Sequence, residues 1–467
     1  MPQFIDRVQP RLNFIPSAYS SWLLRIVHGA LPILLRVRLS PWLPAGITQI
    51  QVVNGGLLAE CYQGFQQGKL RFLMAFRHVE IDDPLCGLYL LSRAIPQTAR
   101  QQSIQLRTPL HTHFLYERGM PLWAGAWLGW VLSHLGGIPI RRGRQPDWSG
   151  LRQARQAFSQ GIWPMAVAPE GATNGHSERV GPLEPGAAQL AFWCAEDLAK
   201  AGRSEAVYIV PINIQYRYVK PAWRSLSRLL TKLERMSGLS VYVSGAGTLE
   251  KVFYQRITRL GEHLLNKMAA FYSRFYHQKQ LSSQPDNDVH TACSIRLQAL
   301  LEAALQIGEE YFGIAATGSL AERCRRLEEA GWTYIYRDDL SDRNTLSPLD
   351  RGLADWVAQE ASLRMLHMRL VETFVAVTDT YLQEKPSFER CAEMALLMFD
   401  MLARLRGDRH PRRPRLALRQ ATLIVGKPIS VTERWPAYES SRKVARQEVI
   451  ALTKELQHTL EQMVDYS

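Results

Sequence analysis

The stretch from Ile162 to Val219 constrains the fold most. "IWPMAVAPEG" reads as a short apolar strand closing in a polar turn, "EPGAAQLAFWCAEDLAKAG" as a helix stopped by Gly202, and "EAVYIVPINIQYRYV" as a buried strand. Strands alternating with helices pack as layers, so the expected fold is α/β: a largely parallel sheet flanked by helices. In such a sheet reacting groups gather beyond the carboxyl ends of the strands.

One strand end carries unusual chemistry. The apolar run "LRFLMAF" (Leu70 to Phe76) stops at "RHVEIDDPL", where an imidazole is followed by three acids. His78 and Asp83 are five residues apart, a step that turns about 140° around a helix, so one helix does not bring them together. A strand, a turn and then a helix does. Asp83 suits the N-cap and Pro84 the first helical position. In that geometry a carboxylate holds one imidazole nitrogen and leaves the other free as a base. Asp82 is an equally good partner on sequence grounds, and the bland alternative is a capping Asp83 with His78 filling a turn.

These residues resemble the glycerolipid acyltransferase family typified by 1-acylglycerol-3-phosphate acyltransferases. The family's H-x-x-x-x-D block is similar to His78 to Asp83, and its G-G-x-x-[IV]-x-R block is similar to "GGIPIRR", with Gly137 and Arg142 in place. "APEGATN" resembles the third block through Glu170 and Gly171, and "VPI" resembles the fourth through Pro211. The resemblance implies acyl transfer to a hydroxyl with His78 as base and Asp83 as its partner, and with no acyl-enzyme. It implies substrate contacts at Arg142, Gly137, Glu170, Gly171 and Pro211, Glu170 being either a polar contact or a structural support. It also implies acyl-carrier protein or acyl-CoA as co-substrate, a lysophosphatidic acid-like acceptor, and no metal or other cofactor. The third block departs from the family: Ala172 and Thr173 stand where Thr and Arg are usual, so Arg141 or Arg179 replaces the missing cation or the acceptor lacks a phosphate, as diacylglycerol or a long-chain alcohol does.

The rest of the chain divides by texture. Residues 1–45 hold the amphipathic segment Tyr19 to Pro44, whose uncharged core of about ten residues is short of the roughly 20 that cross a bilayer. It suits a membrane interface or a helix packed on the protein's own sheet. Residues 46–220 are the expected catalytic domain. Helical patterns then dominate 221–404: Thr258 to His277, Thr291 to Ile314, Ser319 to Tyr336, Ser347 to Lys385 and Ser387 to Arg406, with polar loops "HQKQLSSQPDND" and "YRDDLSDRNTLS". Residues 405–467 return to strand character in "LALRQATLIVGKPISV", whose "GKPI" resembles a closing strand of the family, and end in a helix over Tyr438 to Val464.

Charge and composition set the partners. A formal net charge of +13 implies a polyanionic partner, and an anionic membrane face, acyl-carrier protein or CoA all qualify. Nucleic acid is not expected: the arginine-dense Arg404 to Arg419 lacks aromatics and reads as a solvated or head-group-facing strip. Met120 to Ile140 is long enough to span a bilayer and free of Asp, Glu, Lys and Arg, yet its glycines and the Trp123, Trp127, Trp130 face favour monotopic association. Six scattered cysteines and no leader-like N-terminus point to a reducing compartment, hence to the cytoplasmic face of a membrane. His111 and His113 share a strand face, but no third ligand completes a metal site. The competing class is a noncatalytic membrane or nucleic-acid adaptor on an acyltransferase-like fold.

Overall fold

Strand-forming residues run longest in Ala206–Tyr218, whose interior is buried on both faces. The computed structural model describes residues 7–11, 15–37, 46–120, 125–140, 148–171, 173–241, 247–278, 289–374, 379–408 and 411–465. They form two compact units: one holds residues 220–417 with the N-terminal strand, the other the remainder.

The strands, in chain order, are β1 (Gln9–Pro10), β2 (Ile47–Val53), β3 (Leu70–Phe76), β4 (His113–Glu117), β5 (Gly137–Ile140), β6 (Met165–Val167), β7 (Ala206–Tyr218), β8 (Tyr336–Arg337), β9 (Arg419–Val425) and β10 (Ile429–Ser430). In the second unit β2-β9-β7-β3-β6-β4-β5 lie side by side in one sheet, with β10 also paired to β7. The β3, β4, β5, β6 and β7 set is parallel throughout. β9 runs antiparallel to β7, with Tyr218 opposite Arg419, and β2 follows β9. The expected layered α/β architecture is therefore the observed one, and helices such as Gly186–Lys200 and Arg442–Asp465 cover it. The chain leaves this sheet at Val219 and re-enters at Leu418, whose carbonyl accepts the Val219 N–H at 3.0 Å. The helical residues thus begin and end at adjacent rungs of one hairpin.

Proline inside a sheet removes a ladder donor. Pro211 is tolerated in β7 because its carbonyl, and so its missing N–H, faces the turn between β9 and β10, where Gly426 N–H donates to that carbonyl at 2.9 Å.

The helix Ser21–Arg36 has two apolar faces. Leu24, Leu31 and Leu35 are buried, while Trp22, Ile26 and Ile33 are exposed beside the exposed Arg25 and Arg36. The core-packed and interfacial readings of this segment therefore describe opposite sides of one helix. Residues 38–45 lie outside the described set. The disfavoured alternative, a span over Met120 to Ile140, does not form: Ala126–His134 is a nine-residue helix, about 14 Å at 1.5 Å per residue, and Gly137–Ile140 is β5. Trp123 falls outside the described residues. Among the described residues no helix is long and apolar enough to cross a membrane.

The helical unit packs Leu-, Ala- and Met-rich faces around Leu305, Leu327, Met368 and Val371. Ser319 and Glu322 form a capping box at the start of Leu320–Ile335. Two buried bidentate ion pairs fix helix registers: Arg256 on Glu234 at 2.7 and 2.7 Å, and Arg323 on Glu309 at 2.7 and 2.8 Å. The helix expected over Ser347 to Lys385 is described as Pro348–Phe374 and Asp379–Glu384, the residues between lying outside the described set. Trp223–Ser237, with a buried Leu226, Leu229, Leu230, Leu233 stripe, was not among the expected helices.

Candidate active site

The polar turn at the end of β3 is held open by its neighbours. Arg77 N–H continues the ladder to the Ile212 carbonyl at 3.0 Å, and then the chain turns into the helix Asp83–Tyr89. The N-cap of that helix is Asp82 rather than Asp83, and it makes no side-chain capping bond. Asp83 sits in the first turn with its carboxylate turned back over the strand end.

His78 Nδ1 lies 2.9 Å from Asp83 Oδ2. A carboxylate only accepts, so Nδ1 is the donor, and in the neutral ring Nε2 keeps its lone pair. The imidazole side chain is 26% exposed and the Asp83 side chain 6%, so the carboxylate is shielded while the ring reaches solvent. Asp83 Oδ2 also accepts the Glu80 N–H at 3.0 Å, and Oδ1 accepts the Tyr216 hydroxyl at 2.6 Å. Burial first, and the Asp83 charge second, push the Tyr216 phenol well above its ordinary value, so it serves as a donor.

The adjacent carboxylates are told apart by partner. Asp82 is fully buried on the Arg419 guanidinium, which also lies 3.7 Å from Glu80 and 4.9 Å from the centre of the Tyr216 ring. Burial disfavours the Arg419 cation, but Glu80 and Asp82 outweigh it and hold it charged. Arg419 belongs to the arginine-dense run expected to be solvated. In fact it is buried, and Arg413 of the same run pairs with Asp400 at 2.8 Å.

The third block braces the first. Glu170 Oε1 accepts the backbone N–H of His78 at 2.9 Å, and Oε2 accepts Gly181 N–H at 2.8 Å and Asn174 Nδ2 at 2.5 Å. A Cβ on residue 181 would stand 2.8 Å from that Oε2, so a larger residue there would push the carboxylate off its donors. Gly171, at φ +80°, turns the chain directly after Glu170. Asn174 N–H returns to the His78 carbonyl at 3.0 Å. Burial raises the Glu170 pKa, opposed by the Arg77 charge and the bonds from His78 and Gly181. Glu170 is thus a support inside the protein.

Arg77, which sequence reasoning passed over, is completely buried. It donates to the carbonyls of Ser177 (2.8 Å), His176 (2.7 Å) and Arg179 and to Asn213 Oδ1 (3.1 Å), and its Nε is 3.7 Å from Glu170. Gly137 opens β5, and Pro211 is buried within β7. Arg142 and Ala172 lie outside the described residues, and Thr173 is exposed. His111 Nε2 donates to the Leu135 carbonyl at 2.6 Å and His113 Nδ1 to that of Gly136 at 3.2 Å. Among the described residues no group of three metal-ligating side chains forms.

The His78–Asp83 contact lies just past the carboxyl end of β3, where parallel α/β sheets gather reacting groups. Residues 106–215 match the family model described as Acyltransferase, so the chain carries an acyltransferase domain of the glycerolipid acyltransferase family. The matched stretch contains Gly137, Arg142, Glu170, Gly171 and Pro211 and begins downstream of His78 and Asp83. No curated protein and no solved structure matches the chain.

Proposed function

We propose that this acyltransferase moves a fatty acyl group from acyl-carrier protein or acyl-CoA to the hydroxyl of a glycerolipid acceptor, lysophosphatidic acid in type, as a step of phospholipid synthesis. The observation that carries this is the 2.9 Å contact of His78 Nδ1 with Asp83, which leaves Nε2 free at a solvent-reaching position.

A hydroxyl is a poor nucleophile until its proton leaves. In the proposed step Nε2 takes that proton as the oxygen attacks the thioester carbonyl carbon, and Asp83 stabilises the imidazolium. The carbon–sulfur bond then breaks, the imidazolium returns the proton to the departing thiolate, and ester and free thiol leave. No enzyme nucleophile is involved, and the support is local: the nearby thiol, Cys86, is buried beneath Tyr216 with its pKa pushed up by burial. Arg142 would hold an anionic group of donor or acceptor.

Membrane association on the cytoplasmic face belongs to the same reading. The exposed Trp22 and Trp130 rings lie 6.4 Å apart, with Ile26 and Trp127 exposed on the same two helices. Tryptophans gathered on a surface with Arg25 suit the head-group region of an anionic bilayer.

The test is to incubate the purified full chain with labelled acyl-carrier protein or acyl-CoA against lysophosphatidic acid, glycerol-3-phosphate, diacylglycerol and long-chain alcohols. Phosphatidic acid as main product supports the proposal. Esterified alcohols or triacylglycerol alone would assign the acceptor without phosphate that Thr173 allows, and no ester with any acceptor would favour the adaptor.

A further inference from the structure

We infer that Tyr216 and Arg419 are positioning residues for the base: Tyr216 locks the Asp83 carboxylate onto His78, and Arg419 withdraws Asp82 and Glu80 from competition for the imidazole. The inference rests on the reading of His78 as the base, and adds two residues that neither the motif nor the matched family stretch supplies as a pair, since Arg419 lies far outside residues 106–215.

The turn has a specificity problem of its own. Three carboxylates, on Glu80, Asp82 and Asp83, fall within six residues of His78. Unpaired, they would compete for Nδ1–H, and their summed charge would keep the ring protonated, which disables a base. Asp83 meets His78 Nδ1 at 2.9 Å while Asp82 and Glu80 lie against Arg419, and the reason is visible on the neighbouring strands. β7 overhangs the end of β3, because Phe76 pairs with Ile212 while β7 continues to Tyr218. The overhang carries Tyr216 across the turn to Asp83 Oδ1 at 2.6 Å, which aims Oδ2 at His78. β9 enters antiparallel, so its first residue, Arg419, arrives at this same edge. Its guanidinium binds Asp82, approaches Glu80 at 3.7 Å, and lies over the Tyr216 ring.

The charged and titratable groups facing the pair are therefore Glu80, Asp82, Asp83 and Cys86 from the turn and helix, Tyr216 from β7, Arg419 from β9, and Glu170 and Arg77 beneath the His78 backbone. Arg77 offsets Glu170, and Arg419 draws off Asp82 and Glu80 together, so Asp83 is the carboxylate in hydrogen-bond contact with the ring.

The experiment is the pH dependence of kcat/KM for acyl transfer in the full-length protein, with wild type beside Tyr216→Phe, Asp82→Asn and Arg419→Met. Tyr216→Phe keeps the ring and removes one hydrogen bond from a carboxylate, so kcat falls roughly tenfold with KM little changed, the size of one charge-assisted bond. The acid limb of the profile moves to higher pH in Tyr216→Phe and Arg419→Met, where Asp83 or its neighbours become less neutralised. It moves to lower pH in Asp82→Asn, where Arg419 is left in excess. If Arg419→Met does not fold, Arg419→Met with Asp82→Asn is used, and a limb back near the wild-type position supports charge balancing. Unmoved limbs in both Tyr216→Phe and Asp82→Asn overturn the inference and leave the base intact. Activity retained in His78→Ala instead removes the reading on which it rests.

Discussion

The Glu170 carboxylate accepts the His78 backbone N–H at 2.9 Å, so the third sequence block holds the peptide group of His78 itself. Its two oxygens serve three donors, His78 N, Gly181 N and Asn174 Nδ2. An amide has one accepting atom, so Glu170→Gln leaves at least one buried N–H against an NH2. The expected cost is about 1–3 kcal/mol of stability together with a lower kcat, read by denaturant unfolding and by rate. Wild-type stability and rate in Glu170→Gln would remove the brace.

Asn213 links the end of the C-terminal helix to the buried arginine. Its Oδ1 accepts from Arg77 at 3.1 Å and its Nδ2 donates to the Met463 carbonyl at 3.0 Å. Asn213→Ala strands both partners in the interior and is expected to cost about 1–3 kcal/mol. Hydrogen exchange would show the loss as faster opening near Arg77 and near Met463 together. Exchange confined to one of the two would deny the link.

Acid is expected to weaken the fold through His111. Burial lowers its pKa from 6.5 to about 4, and its Nε2 is bound to a backbone carbonyl. The folded value lies below the unfolded one, so the unfolded chain binds the extra proton between them. The contribution is therefore present above pH 6.5 and is lost as pH falls through about 4, on the order of 3 kcal/mol at 1.36 kcal/mol per pKa unit. His111→Gln keeps a donor for Leu135 and should flatten the unfolding free energy over that window. An unchanged slope would show that other groups set it.

How much of this was legible in sequence follows from what each signal depends on. The β6, Gly186–Lys200 and β7 succession was readable because burial writes itself into local periodicity. His78 and Asp83 stood out because polar groups interrupted an apolar run. The choice between Asp82 and Asp83 was not legible, since it is made by Tyr216 and Arg419 from strands distant in sequence. Arg419 was hidden for a related reason: inside an arginine-dense run its composition resembles that of a solvated strip, and only the antiparallel entry of β9 buries it. Met120 to Ile140 is long enough to span on length alone, but the glycines that weighed against a span mark the break between helix and strand that hydropathy does not see.

The exposed tryptophans make the membrane proposal testable apart from catalysis. Replacing Trp22 and Trp130 with Glu is expected to reduce sedimentation with anionic phosphatidylglycerol vesicles by about tenfold, since each change removes apolar area and adds repulsion. Raised salt should weaken wild-type binding as well. Equal binding by the variant would place the membrane contact elsewhere.

The most direct measurement is acyl transfer by His78→Ala beside wild type, with folding verified by circular dichroism and vesicle binding. Removal of a general base is expected to lower kcat by about 10²–10⁴-fold while vesicle binding stays as in wild type. Equal ester formation by the two proteins would contradict the assignment of the proton transfer to His78.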